Sequence, residues 1–585
     1  MEGSRTLSKP APWHKAVDRS RSGHNFVPFC CRTFAVVLGA ADAWASRFRM
    51  YPDGISYLDL GDAIWRGDWH NVINGYWSPV YPAILGLFLR LFKPSIYAEY
   101  PLVHLVNFLI YVLALICFEI FLRTFVEQQK RRDAERDAQS EIGLPAWGWY
   151  VAGYAIFTAS SLFLITTTFV SGDMIISAVV YFAFTVFLKI RAGEASWRTF
   201  ALLGFVLGIG YLTKTAMFLI AVPFIVVAAI AQTDRSRSLR YAAVAFLFFA
   251  LVAGPYVAML SLQKGRPTFG ESGAINYIVN VNGGQFYISK NAGAKHPIRE
   301  LGIAPDAYEY VSPIAGTYPL WYDPSYWHEG ILPHFDLKQQ LRVSALCIAI
   351  CGWILFNPFL GLEITVAILL LYLIAPRPSV SLKRAKEHWL VWIPALCGIG
   401  LYCLVVVEYR YVGGLCCVLW IVGLAGVQLP ANASSRRMIS TVVCLLALST
   451  LAISVRQIWR EARGTDFPER QFATAETPRI AAALQSAGVH PGDGLAVISD
   501  WLFPSRQGAY LARLTRAHII GEVRPEQFWS ADAESRAKLV AAYGKLGAKA
   551  VFTCRPPRVD PGWEELGESD YYVYFIRDQQ TGLND

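Results

Sequence analysis

Four charged side chains stand where apolar runs of this sequence break off: Asp53, Asp173, Lys214 and Arg410. Asp53 lies in Tyr51-Pro52-Asp53-Gly54-Ile55-Ser56-Tyr57, just past the first apolar stretch. Asp173 sits in Ser171-Gly172-Asp173-Met174, Lys214 in Tyr211-Leu212-Thr213-Lys214-Thr215, and Arg410 in Glu408-Tyr409-Arg410-Tyr411, each between two apolar runs. A carboxylate at the bilayer centre costs roughly 2.5–3.5 kcal/mol on insertion scales, so such residues usually border water and often do chemistry. Acids and cations gathered at a lipid–water boundary suit one kind of reaction. The carboxylate takes the proton of an attacking hydroxyl, a role worth roughly 10²–10⁴-fold in rate. The cation stabilises the charge that a departing phosphate gains.

That division of labour fits sugar transfer from a lipid-linked phosphate, with Asp53 as the base toward the acceptor hydroxyl. The planar fork of Arg410 suits two-point contact with phosphate oxygens, and Lys214 supplies a compact charge. Asp173 suits orienting the acceptor, binding a sugar hydroxyl or holding a divalent cation; no cofactor is assigned beyond that option. Each position also has a structural alternative. Asp53 and Asp173 fit as caps of the helices that follow them, Lys214 as a snorkelling lysine, and Arg410 as the ion-pair partner of Glu408.

The elements that must position these residues are apolar helices. The chain has 585 residues, of which 54% are hydrophobic and 17% charged; a soluble globular protein carries about 25% charged residues. Near-uncharged runs of about 17–23 residues have transmembrane length. The fold class is therefore an all-α polytopic membrane protein of about 11–13 transmembrane helices, with a large external loop and a small C-terminal α/β domain. The net charge of +9 is concentrated in basic segments between apolar runs, at 5–32, 130–132, 235–240, 383–386 and 436–437. The positive-inside rule assigns such segments to the cytoplasm, which sets all four charged positions on the external side. It also removes nucleic acid as a partner, since no basic face is left over for a phosphate backbone. Of the eleven cysteines only Cys554 falls in the C-terminal polar region, and no CxxC pair suggests a zinc or redox site.

Along the chain, a first helix is expected over 28–48, an amphipathic helix over 53–67 and an interfacial apolar helix over 79–92. A cleaved signal peptide ending near Ala41-Asp42-Ala43 competes with the first helix; the uncleaved helix is preferred because the Asp53 block needs an anchor. Spans follow at 99–123, 147–169, 174–190, 199–213, 215–231 and 241–262, then at 340–356, 358–375, 389–407, 411–428 and 438–456. If both 340–356 and 358–375 cross, the 383–386 loop lands outside, so this pair leaves the count open. The polar and aromatic segment 263–338 is longer than ordinary loops, which marks it as functional. Its pairs Trp321-Tyr322 and Tyr326-Trp327 suit either an interfacial belt or a sugar platform. Its Asp323, His328, Glu329, His334 and Asp336 match no standard ligand spacing, and no metal is assigned there. From 465 onward an α/β pattern begins: a helix opened by Thr477 as cap and Pro478, strands at 495–499, 518–523, 550–554 and 571–576, and helices near 504–515 and 534–546. No Gly-rich phosphate loop occurs among them, which points to an accessory domain.

The order of these motifs resembles the GT-C glycosyltransferases, and most of all the protein O-mannosyltransferase and lipid A aminoarabinose transferase branch. Asp53-Gly54-x-x-Tyr57, Gly67-Asp68-Trp69 and Ser78-Pro79-Val80-Tyr81-Pro82 look like the first external loop of that family. Asp173 matches its second external acid, Tyr211-Leu212-Thr213-Lys214 its lysine-bearing turn, and Glu408-Tyr409-Arg410-Tyr411 its late E-x-R-Y element. The resemblance implies an inverting transfer from a polyprenyl-phosphate sugar to a lipid, glycan or protein hydroxyl. Asp53 and Asp173 are then catalytic, Lys214 and Arg410 hold the donor phosphate, and Tyr57, Tyr81 and Glu408 contact substrate. The chain carries Asp53-Gly54 where many members have two adjacent acids.

The implied organisation is a cytoplasmic tail (1–27), a transmembrane catalytic module (28–262) with its first external loop at 49–98, the aromatic loop (263–338), further membrane helices (339–460) and an external accessory domain (465–585). A bacterial inner membrane is the expected home. The rivals are a multi-span transporter or lipid-linked sugar flippase, and a non-catalytic scaffold of the same fold. Transporters favour charges near the midplane and paired repeats, neither of which the sequence displays.

Overall fold

The computed structural model describes residues 13–135, 141–284, 293–310, 315–359, 361–375, 378–464, 472–499, 507–567 and 569–576. Among them, seven helices are long and apolar enough to cross a membrane: Phe26–Ala45, Glu99–Ala134, Ala146–Ile165, Asp173–Arg191, Arg235–Lys264, Leu337–Phe356 and Ala433–Ala462. Shorter apolar helices accompany them at Val80–Phe92, Trp197–Thr213, Met217–Ile230, Leu362–Leu373, Trp389–Cys403 and Tyr409–Leu424. The ambiguous pair now separates. Leu362–Leu373 has 12 residues and is about 18 Å long, short of the roughly 30 Å hydrocarbon core. Leu337–Phe356, with 20 residues, is long enough to cross alone. The first helix begins at Trp13 and ends at Ala45, so the described part of 1–27 is helical and the helix stops before residue 48.

Asp53 is held by a short amphipathic helix, Pro52–Arg66, with Pro52 at its first position and Gly67 (φ +76) closing it. Proline is preset for that start, and the left-handed closure costs glycine nothing. The helix buries Ile55, Leu58 and Leu60 and lies against Val80–Phe92. The two touch backbone to backbone at Gly61 and Gly86, where a Cβ on Gly86 would stand 2.4 Å from the Gly61 carbonyl oxygen.

The Ala146–Thr158 helix continues as a π-helical turn, Ala159–Ile165, and stops at Thr166 with φ +62. A β-branched residue in that region is strained, and such features gather at functional sites. The loop it opens is tied down: Thr167 donates through N–H and Oγ1 to Asp42 Oδ2 at 3.2 and 2.6 Å, and Asn107 Nδ2 donates to the Thr167 carbonyl at 3.1 Å.

A seven-stranded sheet carries the C-terminal region. Its order is Arg299–Glu300, Ala307–Glu309, His518–Val523, Gly494–Ile498, Ala548–Cys554, Tyr571–Phe575 and Glu564–Glu565. Gly494–Ile498 pairs in parallel with both neighbours and is buried throughout, as expected for a strand covered on both faces. The first two strands come from the 263–338 segment, so that segment and the C-terminal region share one sheet. Their lengths of two and three residues are too short to show an alternating pattern in sequence. Thr477 is not a cap: Glu476 takes that position without a side-chain bond, and the Thr477 hydroxyl accepts from the Thr474 N–H at 2.9 Å. The expected helix near 504–515 runs over Gln507–Thr515; residues 500–506 lie outside the described part.

Candidate active site

Asp173 opens one helix, Lys214 closes another and Arg410 lies in the first turn of a third. The helices begun at Asp173 and Tyr409 pack side by side in the same direction and the Lys214 helix runs opposite to them, so those ends meet at one end of the bundle, and the Pro52–Arg66 helix adds Asp53 there. Arg410 is the hub. Its Nε lies 2.6 Å from Glu408 Oε2 and 3.8 Å from Asp173 Oδ2, and its Nη2 lies 3.5 Å from Asp53 Oδ2. Lys214 Nζ pairs with Asp173 Oδ1, and Ser171 Oγ donates to Asp173 Oδ2 at 2.9 Å. A cation in the first turn of a helix opposes the helix dipole by about 0.3–1 kcal/mol, so Arg410 is placed by its acids and not by helix preference.

One close approach makes this meeting possible. One turn beyond Arg410, a Cβ on Gly414 would stand 2.6 Å from Ser177 Oγ, one turn beyond Asp173. A second position of interest is Gly54. A Cβ there would stand 2.4 Å from Met50 Sδ and 3.0 Å from Val170 Cβ, so this chain has filled the space that a side chain at 54 needs.

Aromatic rings wall the cluster. Lys214 Nζ lies 3.4 Å from the Tyr411 ring centroid, and Arg410 Cζ lies 5.2 Å from both the Phe169 and Tyr411 centroids. Cation–π contacts of this kind hold charge in a partly dry site. On the other side, Trp321 Nε1 donates to Asp53 Oδ1 at 2.9 Å. Trp321 is itself gripped through its carbonyl, which accepts from Ser56 Oγ at 2.7 Å and Trp77 Nε1 at 3.0 Å. Tyr57 packs edge-on to Trp77 and Tyr81, at centroid distances of 4.9 and 5.1 Å. Burial, reinforced by the Asp53 carboxylate, pushes the Tyr57 and Tyr76 phenols well above their ordinary range, so both stay neutral hydroxyls.

The expected residues therefore divide. Asp53, Asp173, Lys214, Arg410 and Glu408 converge. The structural alternatives fare differently: neither aspartate caps its helix, since Tyr51 and Gly172 hold the cap positions without side-chain bonds. Lys214 turns to Asp173 instead of snorkelling. The Arg410–Glu408 pair does form. Tyr57 borders the cluster, whereas Tyr81 is buried with its hydroxyl donating to Asn107 Oδ1 at 2.6 Å and packs behind Tyr57. Trp321 was visible only as half of an aromatic pair, and the anchored Thr166–Ser171 loop had no sequence signal. Among the described residues no three His, Cys, Asp or Glu side chains converge to hold a metal ion, and Asp173 is engaged by two cations. In the 263–338 segment Asp323 Oδ1 accepts from Ser325, and Glu329 pairs with Lys295 at 3.0 Å.

The contacts around Arg410 are uneven, and that sets what the cluster can do. Only the bond to Glu408 is short; those to Asp53 and Asp173 are at or beyond hydrogen-bond range. The Glu408 side chain is 43% exposed, so water can take over its solvation when Arg410 turns away. The guanidinium is thus able to exchange partners for an incoming anion, while Trp321 keeps Asp53 oriented.

No protein-family model matches the sequence, and no curated protein sequence matches it. Solved structures do. ArnT from Cupriavidus metallidurans bound to undecaprenyl phosphate aligns with a TM-score of 0.50 at 13% identity, over 92% of this chain and 96% of that one. The Archaeoglobus fulgidus oligosaccharyltransferase, in complex with zinc and sulfate, aligns with a TM-score of 0.49 at 13% identity, over 90% of this chain and 68% of that one. Arabinofuranosyltransferase AftD from Mycobacteria aligns with a TM-score of 0.44 at 13% identity; the match covers 91% of this chain and 35% of AftD. The likeness to ArnT gives the chain the GT-C-type fold that its motifs resemble. With seven apolar helices on that fold, it is an integral membrane protein.

Proposed function

We propose that the chain is a membrane glycosyltransferase that moves a sugar from a polyprenyl-phosphate donor to an acceptor hydroxyl, with inversion. The observation that carries this reading is the convergence of Asp53, Asp173, Lys214, Arg410 and Glu408, drawn from four distant segments, at one end of the bundle. In the reaction the acceptor oxygen attacks the anomeric carbon while Asp53 takes its proton. The bond from that carbon to the phosphate oxygen breaks, and the polyprenyl phosphate leaves with the electron pair. Arg410 and Lys214 bind the phosphate and neutralise the charge it gains. Asp173 positions both cations, Glu408 releases Arg410 to the donor, and Tyr57 lines the acceptor side. The undecaprenyl phosphate bound by ArnT supports a donor of this class.

In this reading the cluster faces the external side of a bacterial inner membrane, where the acceptor is a lipid, glycan or protein. The 28–262 module supplies Asp53, Asp173 and Lys214, the later membrane helices add Glu408 and Arg410, and the 465–585 region is accessory. The test is transfer from a polyprenyl-phosphate sugar by the purified chain carrying Asp53→Asn. Loss of transfer with retained folding is the expected result; unchanged turnover removes Asp53 as base, and no transfer by the unmodified chain leaves a scaffold of the same fold. Accessibility of cysteines placed at 53, 173, 214 and 410 separates the transport alternative, which needs them at membrane mid-depth.

A further inference from the structure

Away from the Arg410 cluster, the ends of the Pro52–Arg66 and Val80–Phe92 helices and Arg516 border an open cavity of about 320 Å³. Four cations line it, Arg66, Arg90, Lys93 and Arg516, against the single carboxylate of Asp62. That carboxylate is already engaged, at 2.7 Å by Arg513 and 3.3 Å by Arg516, and Arg516 also pairs with Glu99 Oε2 at 2.7 Å, so Arg66, Arg90 and Lys93 carry the surplus. Arg90 Nη1 donates to the Trp65 carbonyl, and among the described residues neither Arg66 nor Lys93 has an ion-pair partner. Both helices point their C-terminal ends here, which offsets about one positive charge in total at roughly half a charge each. A surplus of positive charge remains around an open cavity.

The surroundings identify the ligand's source. Leu91 and Phe92, beside Arg90 and Lys93, are 67% and 62% exposed, and Trp65 lines the cavity itself. Cations next to exposed apolar and aromatic side chains on an amphipathic helix pair form the pattern of a membrane-surface element. The cavity is not the transfer site: Asp53 and Arg66 are thirteen helical steps apart, about 20 Å at 1.5 Å per step.

We propose that this cavity binds the phosphate of an anionic membrane lipid, with its acyl chains lying along Leu91 and Phe92. The inference stands independently of the glycosyltransferase reading. It is tested by native mass spectrometry of the full-length chain in a neutral detergent, titrated with phosphatidylglycerol. The variant Arg66→Gln/Arg90→Gln/Lys93→Gln is expected to weaken binding by at least about tenfold, since each interfacial cation contributes on the order of a fivefold attraction. Lys93→Gln alone, at an exposed position, is expected to weaken it severalfold and guards against a folding defect in the triple variant. The control Lys545→Gln/Lys549→Gln, which does not line the cavity, leaves affinity unchanged. Equal binding of phosphatidylcholine, an unaltered affinity in both cavity variants, or an equal loss in the control overturns the proposal. Displacement of the lipid by inorganic phosphate at equal concentration overturns it as well, because the cavity would then serve a free anion.

Discussion

The Pro52–Arg66 helix takes part in two buried ionic clusters, one at its start and one beyond its middle. In the first, Asp53 joins Asp173 and Glu408 around Arg410 and Lys214. In the second, Asp59 and Asp62 join Glu99 around Arg513 and Arg516. Both set three carboxylates against two cations, yet their geometries diverge. Arg513 Nε and Nη1 meet Glu99, Asp59 and Asp62 at 2.7, 2.8 and 2.7 Å. Asp59 is further fixed by the Thr317 N–H and hydroxyl at 2.7 and 2.8 Å. Burial works against the Arg513 charge, but Glu99, Asp62 and Asp59 hold it well above its ordinary range. Arg410 has one short contact, to a half-exposed glutamate, and two long ones to the aspartates. The same charges thus serve two ends. A tightly bonded cluster ties the sheet region to the membrane helices, although Arg513 Nη2 is buried without a hydrogen-bond partner, and a loosely bonded one holds Arg410.

The sharpest way to break that contrast is Asp53→Asn. It should lower transfer by roughly 10²–10⁴-fold while the thermal midpoint in detergent stays near wild type; a large drop in midpoint with retained transfer would make the first cluster structural. Arg513→Met should do the reverse. Removing one partner of a buried ion pair costs about 3–5 kcal/mol, so thermal unfolding should fall far more than for Arg410→Met, and equal losses would erase the distinction. Arg410→Lys keeps the charge and loses the fork. A charge-assisted contact is worth about 1.5–3 kcal/mol, so the KM for donor should rise about ten- to a hundredfold, seen in steady-state kinetics at constant acceptor. The smallest effect is expected of Trp321→Phe, which removes one hydrogen bond worth about 1 kcal/mol. Its turnover should fall severalfold with donor KM little changed; an altered KM alone would place Trp321 on the donor and not on Asp53.

Much of the membrane region was legible because its signals are local. An apolar run tolerates an ionisable side chain poorly, so Asp173, Lys214 and Arg410 stood out by interrupting such runs. Proline and glycine likewise bounded the Pro52–Arg66 helix nearly where the sequence placed it. Trp321 was not legible as a partner of Asp53, since 268 residues separate them and no local pattern records such a contact. Arg513 looked like one more polar residue of an accessory helix, and its acids lie 414 to 454 positions away. Thr477 misled because capping depends on the backbone angles of the turn before it, and Glu476 occupies that place.

By itself the sequence determined which segments are helices, which charges they bring to their ends and that lipid surrounds them, because hydrophobic periodicity and the cost of burying charge act on each stretch independently. Tertiary structure decided which charges meet and how tightly. The loose embrace of Arg410, the tight one of Arg513 and the cationic cavity between two amphipathic helices all depend on close approaches such as Gly61 to Gly86 and Gly414 to Ser177. Those distances of a few ångströms are properties of helix pairs, and they govern electrostatic energies that vary steeply with separation and burial.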